Sequence, residues 1–304
     1  MKYLFIVNPI AGGSDKTESV RSQAEKTFSG RPDDSFEIYV TKKPMDAARE
    51  IRFRAESGDE FRVLACGGDG TFNECVCGAA GLKNVAVAPF PTGTGNDFCR
   101  MFGSEKDMFR DLSALADGFV HPIDLIDCNG RYCVNLCSVG FDARVGENVH
   151  KYSKLPLIGG ATGYVVSLLV EVFKGLNRPM EITCGSKKLS GEFALACVCN
   201  GRYYGGGFNP SLAAMPDDGE LDMYVVKRAN LLQLVKYVGK YASGRSDEVP
   251  NQIYHFKGDS ISIRFEEESV INIDGEAIYA KEAAMKLVPL SLNLLAPKGL
   301  KFFG

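Results

Sequence analysis

The sequence predicts an α/β N-terminal domain with a parallel sheet, followed by a mostly antiparallel, β-sandwich-like C-terminal domain. Up to about residue 120, strand-like apolar runs alternate with amphipathic helical segments, which implies a parallel sheet with helices on its faces. Beyond that point short strand-like runs dominate, and Asn-Gly and Asp-Gly pairs mark hairpins. A chain of 304 residues is comfortable for two domains. Their expected bounds are 1–122 and 123–289, with 290–304 returning to the first domain.

The elements follow in order. "KYLFIVN" (2–8) reads as a buried strand. Residues 14–28 read as a helix with Val20, Ala24 and Phe28 on one face. A strand is expected at 36–41, and a helix at 44–57 with Pro44 at its start. "FRVLAC" (61–66) is a strand, followed by a glycine turn and a helix to about Ala80. "NVAVAP" (84–89) is a strand, and 105–117 reads as a charged helix. The second domain offers strand runs at "IDLIDC", "RYCVNLCSVGF", "MEITC", "FALACVCN", "LDMYVV", "SISIRF" and "VINIDG". Helices are expected at about 159–174 and 230–242. "LSLNLLAP" reads as the strand that returns to the first domain.

Bulk composition excludes several roles. A net charge of −3 argues against nucleic acid, which needs many Lys and Arg to neutralise phosphate. Ten Cys occur without a C-x-x-C pair, so buried free thiols are expected rather than zinc. Unbridged thiols and the lack of an export signal after Met1 point to the cytoplasm. The longest apolar stretch, 161–173, is broken by Glu171 and falls short of the about 20 residues a membrane span takes.

Three glycine-rich turns lie where strands of such a sheet end, and ligands bind at those ends. They are "NPIAGG" (8–13), "CGGDGT" (66–71) and "PTGTGND" (91–97). Gly67, Gly68 and Gly70 leave backbone N–H groups open to close approach. Thr71 and Glu74 fit a capping box, so a helix N-terminus follows and attracts anions. Asp69 sits among those groups. A carboxylate there requires a cation or a proton-donating partner, and a magnesium-bound phosphate meets that need. The chain has neither G-x-x-x-x-G-K-[ST] nor a G-x-G-x-x-G after its first strand, which weighs against a P-loop or a standard dinucleotide fold.

In order and spacing, "NPIAGG", "GGDGTFNE" and "PTGTGNDF" resemble the diacylglycerol kinase catalytic family, and most closely its bacterial soluble lipid kinases. That family includes sphingosine and ceramide kinases. The resemblance extends through 122–143, 199–226 and "INIDGE" (271–276), covering nearly the whole chain. "GGDGT" alone is shared with NAD kinases; "P-x-GT-x-NDF", "DGELD" and "DGE" make the match more specific.

The resemblance implies an ATP- and Mg2+-dependent lipid kinase acting on diacylglycerol or a related lipid. The nucleotide positions it implies are Asn8, Pro9, Gly12, Thr41, Gly67, Gly68, Asp69, Gly70, Thr71, Asn73, Glu74, Gly93, Thr94 and Asn96. Asp69 and Asp124 match acids that organise magnesium. Asp274 and Glu276 match the proposed base region, with Glu276 as base and Asp274 supporting it; without the resemblance, a hairpin turn with two solvated acids is the preferred reading. Met215 and Glu220, through their carbonyls, and Asp218, through its side chain, match a structural magnesium site. Asp97 reads rather as a helix N-terminal charge.

The lipid is expected to enter between the domains from the membrane surface, with peripheral contact at the inner membrane face. Residues 151–173 read either as a cover over acyl chains or as a helix buried in the second domain. A homodimer fits some relatives. Two other functional readings stand beside the kinase: an NAD kinase-like enzyme, and a non-catalytic nucleotide- or lipid-binding regulator.

Overall fold

The computed structural model describes residues 1–93, 95–145 and 175–303. Thr94 and the helix expected at 159–174 lie outside the described residues. The chain divides into two compact units, Met1–Leu125 with Val288–Gly304, and Ile126–Leu287.

The first unit is a parallel sheet. Its strands are β1 (Lys2–Val7), β2 (Ser35–Val40), β3 (Phe61–Gly67) and β4 (Val85–Pro91). Strand β1 pairs in parallel with β2 and with β3, and β3 with β4. The end of the long last strand, β13 (Glu276–Ala296), adds itself parallel to β4 at Asn293 and Leu294. Helices α1 (Thr17–Phe28), α2 (Asp46–Ala55) and α3 (Asp69–Ala79) connect the strands. Central strands covered on both faces must be apolar throughout. In β1, Tyr3 to Val7 are all buried, whereas edge strand β2 has no fully buried residue.

The spatial order β2-β1-β3-β4 means that successive crossovers leave β1 in opposite directions. The gap between the carboxyl ends of β1 and β3 is therefore the topological switch point, where open α/β sheets bind ligands.

Two helix expectations need correction. The segment 105–117 is not one helix: a 3₁₀ stretch (Gly103–Arg110) gives way to α5 (Leu112–Ala116). Asp111 breaks it by turning extended and accepting hydrogen bonds from the N–H groups of Ser113 and Ala114. Helix α2 begins at Asp46 rather than Pro44, because Met45 takes a left-handed conformation (φ 61°). A short α4 (Asp97–Arg100) follows the third glycine turn.

The second unit is built of antiparallel pairs. Its strands are β5 (Phe119–Cys128, shared with the first unit), β6 (Arg131–Cys133), β7 (Leu136–Gly140), β8 (Arg178–Cys184) and β9 (Lys187–Cys199). They continue with β10 (Leu221–Lys227), β11 (Ile253–Gly258), β12 (Ser260–Ile273) and the start of β13. Strands β9 and β12 each carry β8 along one half and β7 along the other. In β12 the change of partner coincides with a register shift between Arg264 and Ser269, and such bulges bend a strand. The bend joins "SISIRF" and "VINI" into one strand and encloses a core that includes Ile182, Val198, Met223, Ile263 and Met285. All ten cysteines are free, and Cys197 and Cys199 share a strand face with their sulfurs 3.5 Å apart.

Asp142 is half-buried in this unit with its Oδ1 shut off from solvent, and Tyr204 Oη donates to its Oδ2 over 3.0 Å. Burial pushes its carboxyl up to about 6. The native chain thus holds a proton that the unfolded chain loses, so stability falls as pH rises from about 4 to about 6 and is flat above. Asp142→Asn is expected to remove this slope and raise stability at pH 7 by about 2–3 kcal/mol. Urea unfolding midpoints across that range measure it; parallel curves for the two proteins contradict it.

Candidate active site

The turns after β1, β3 and β4 meet at the switch point. Asn8 ties the first two together: its N–H donates to the Cys66 carbonyl (3.1 Å), and its Nδ2 donates to Thr71 Oγ1 (3.1 Å). The second and third turns are joined by the N–H groups of Thr92 and Gly93, both donating to the Gly67 carbonyl at 3.0 Å. Backbone packs on backbone here. A Cβ on Gly93 would lie 2.7 Å from Gly68 Cα, and one on Gly12, itself at φ 68°, would lie 2.6 Å from the Thr92 carbonyl oxygen. Close approach, more than any single turn type, requires these glycines.

Helix α3 starts here with Gly68 as its N-cap and no side-chain cap. The first N–H groups of a helix have no intrahelical acceptor; in α3 the first internal bond is Phe72 N–H to the Gly68 carbonyl. The expected capping box is absent. Thr71 lies inside the helix, buried beneath Gly67, and spends its hydroxyl on Asn8. Glu74 is half-buried one residue further along α3 than the buried Asn73, which accepts from the Cys77 thiol.

Asp69 resolves its electrostatic conflict locally. Its Oδ1 accepts the Asp97 N–H at 2.6 Å and the Phe98 N–H at 3.4 Å, so it caps the short helix α4. A Cβ on Gly95 would lie 2.6 Å from its Oδ2. Asn96, at φ 52°, donates through Nδ2 to the Gly93 carbonyl, and Asp97 pairs with Arg100 (3.1 Å). Pro9 lies in the turn expected for it, whereas Gly70 falls inside the first turn of α3 rather than in the glycine turn before the helix; Thr41 follows β2 and hydrogen-bonds through its N–H to the Val7 carbonyl (2.9 Å). Asp124, almost fully buried in β5, accepts the Leu290 N–H at 2.7 Å, where the returning chain takes φ 46°.

In the second unit, Asp274 and Gly275 form the two-residue hairpin between β12 and β13, both at positive φ (48° and 95°). The Asp274 carboxylate is held by main chain: Val134 N–H donates to Oδ2 (2.7 Å), and Asn135 and Leu136 N–H donate to Oδ1 (3.0 Å each). The Cys133 thiol adds a fourth donor. Glu276, the first residue of β13, is exposed. The two acids are therefore unequal: one is a fixed post and the other an accessible carboxylate.

Asp218 and Glu220 lie in a turn before β10, where Asp218 Oδ1 accepts the Glu220 N–H (3.0 Å). Lys257 of β11, which the sequence reading missed with its strand, reaches both: its Nζ is 3.0 Å from Glu220 and 3.8 Å from Asp218. It is also 3.7 Å from the buried Asp222. Burial raises the Asp218 carboxyl despite that lysine. Met215 is engaged through its sulfur by Arg202. An all-oxygen set of two carbonyls and Asp218 suits Mg2+, but Lys257 already supplies one positive charge to it. Among the described residues no group of three or more His, Cys, Asp or Glu is arranged to hold a metal.

The sequence profile of the diacylglycerol kinase catalytic domain matches residues 2–128, and that of the YegS C-terminal NAD kinase beta sandwich-like domain matches residues 135–296. The chain belongs to the diacylglycerol kinase family. Within the family's neighbourhood, a candidate lipid kinase of Staphylococcus haemolyticus is 28% identical over 246 residues, 81% of this chain and 79% of that protein. The crystal structure of a diacylglycerol kinase from Bacillus anthracis str. Sterne aligns over 98% of both chains with a TM-score of 0.72 and 26% identity. A second structure from that strain, of a candidate diacylglycerol kinase, gives a TM-score of 0.75 and 29% identity over 97% of this chain and 96% of that one. No helix among the described residues is long and apolar enough to cross a membrane.

Proposed function

We propose that this chain is an ATP- and Mg2+-dependent lipid kinase that phosphorylates a hydroxyl of diacylglycerol or a related lipid. The observation that carries the reading is the side-chain-free cradle at the switch point, where Gly12, Gly68 and Gly93 bring three turns together beside the uncapped start of α3. Bound there, ATP supplies the phosphoryl group and Mg2+ offsets its charge.

The chain's own part is positioning and proton transfer. Backbone N–H groups of the glycine turns and of the first turn of α3 receive phosphate oxygens. Asn8 and Asp69 set the shape of the turns through the bonds described above rather than by touching phosphate. Glu276 accepts the proton of the attacking hydroxyl as the new P–O bond forms and the bond to ADP breaks. Asp274 fixes the hairpin on which Glu276 stands, so it is a positioning residue. Asp218, with the carbonyls of Met215 and Glu220, would hold a structural Mg2+, and Lys257 would compete with it for the same carboxylate.

The direct assay uses labelled ATP, Mg2+, a panel of detergent-dispersed lipids and NAD. Label in a lipid is expected. Label in NADP instead contradicts the reading and favours the NAD kinase relationship that the second profile's description raises. Label nowhere contradicts it in favour of a non-catalytic binder.

Because Glu276 is exposed, Glu276→Gln is expected to change stability by less than about 0.5 kcal/mol while lowering kcat by about 10²–10⁴-fold. Full turnover by the variant removes Glu276 as base.

A further inference from the structure

Helix α6 (Leu231–Tyr241) carries two apolar stripes, and only one is used. Its inward stripe is accounted for: Leu234 packs on Phe141, Val145 and Leu176, Tyr237 on the core around Tyr224, and Tyr241 is buried. The outward stripe is Leu231, Leu232, Val235 and Val238, with Leu232 83% and Val235 67% exposed. At about 100° per residue, these four form a continuous arc, and Lys236 and Lys240 occupy the flank beside it. The helix is held firmly at its start by a reciprocal capping box between Asn230 and Gln233. A rigid helix with surplus leucines facing solvent requires a reason.

Charge supplies one. From Lys227 to Arg245 the chain carries Lys227, Arg228, Lys236, Lys240 and Arg245 and no acidic residue, in a protein whose net charge is −3. Glu192 pairs with Arg228 (2.5 Å), and Glu248 serves both Lys240 (3.1 Å) and Arg245 (3.8 Å). Among the described residues, five cations thus face two carboxylates. Lys227 and Lys236 lie against the rings of Tyr254 and Tyr237, with Nζ 4.1 and 5.3 Å from the ring centres. An apolar arc edged by lysines is the pattern of a helix lying in the interfacial plane of an anionic bilayer, leucines dipping among acyl chains and lysines reaching the head groups.

We infer that α6 is the membrane-docking surface of this protein and that its partner is an anionic phospholipid bilayer. The inference deepens the lipid-kinase reading, since a lipid acceptor resides in such a bilayer, but it stands on the helix itself. A second copy of the chain fits less well. An antiparallel two-fold pairing through α6 would bring the lysines of both copies onto the same edge. One face of an 11-residue helix also offers far less than the ~800 Å² per partner of a stable interface.

The test is vesicle flotation with the full chain and no ATP or acceptor lipid. Phosphatidylglycerol–phosphatidylcholine vesicles are compared with phosphatidylcholine alone. The wild-type protein is expected to float with the anionic vesicles. Leu232→Glu with Val235→Glu is expected to lower its partition about tenfold or more, and Lys236→Glu to lower it on anionic vesicles only. Circular dichroism is expected to be unchanged, because both apolar positions are exposed. Turnover of a short-chain acceptor dispersed in detergent is expected to be unaffected. Unchanged flotation of the double variant overturns the inference. So does a wild-type dimer in sedimentation that the double variant splits while flotation is retained. If flotation behaves as expected but no lipid is ever phosphorylated, the kinase reading falls and the docking surface remains.

Discussion

Asp274→Ala is expected to destabilise the protein by about 3–5 kcal/mol, with a loss of urea midpoint at an unchanged slope. The substitution leaves the N–H groups of Val134, Asn135 and Leu136 without their acceptor. These three residues are buried, and each orphaned donor in such a place costs about 1–3 kcal/mol. Some of that loss is recovered because Asp274 itself is only half-buried and water can enter. The substitution also puts alanine at φ 48°, a conformation Asp tolerates better. Asp274→Asn keeps a side-chain oxygen and the turn preference, so it is expected to recover about half of the loss. A change below about 1 kcal/mol in the alanine variant contradicts the account of Asp274 as a post.

Gly93→Ala carries the second large effect. The added methyl lies 2.7 Å from Gly68 Cα and 3.0 Å from Gly68 N. Both are main-chain atoms, so no flexible side chain can yield. The turns after β3 and β4 must separate, and a displacement near 1 Å in a positioning element costs about 100-fold in activity. ATP affinity is expected to fall by a similar factor while the unfolding midpoint moves little. Gly30→Ala in the same unit is the control, since nothing lies within 4 Å of its added carbon. Titration calorimetry with Mg-ATP measures the difference. Equal affinity for both variants contradicts the cradle.

The first unit was the more legible in the sequence, for a physical reason. Strands buried on both faces read as unbroken apolar runs, and "LFIV" and "VLACG" appear in the structure as the fully covered parts of β1 and β3. Their glycine-rich ends marked the carboxyl edge of the sheet as the ligand edge, and the strand order then places the switch point between β1 and β3. The capping box failed because "T-x-x-E" reads the same whether Thr71 precedes the helix or lies inside it. Only the close packing of Gly67 over Thr71 and the bond from Asn8 decide the matter.

The second unit was less legible because its organising features are non-local. "NIDGE" announces a hairpin, yet nothing in it shows that Asp274 reaches the N–H groups of residues 134–136. Likewise "IYHFKG" alternates weakly, so β11 was missed, and with it the Lys257 ammonium among Asp218, Glu220 and Asp222. Helix α6 was expected at nearly its true bounds. Its significance lies in which side chains face outward, and that emerges only when Leu234, Tyr237 and Tyr241 are seen packed inward.

The central claim is that the bare main chain joining Gly12, Gly68 and Gly93 receives a triphosphate. A crystal structure with Mg2+ and a non-hydrolysable ATP analogue tests it most directly. The phosphates are expected within hydrogen-bond distance of the N–H groups of Gly12, Gly13, Gly68, Gly70 and Gly95, since those of Asn8, Thr92, Gly93 and Asp97 already donate to protein oxygens. A nucleotide bound elsewhere, with those N–H groups facing only solvent, contradicts the claim.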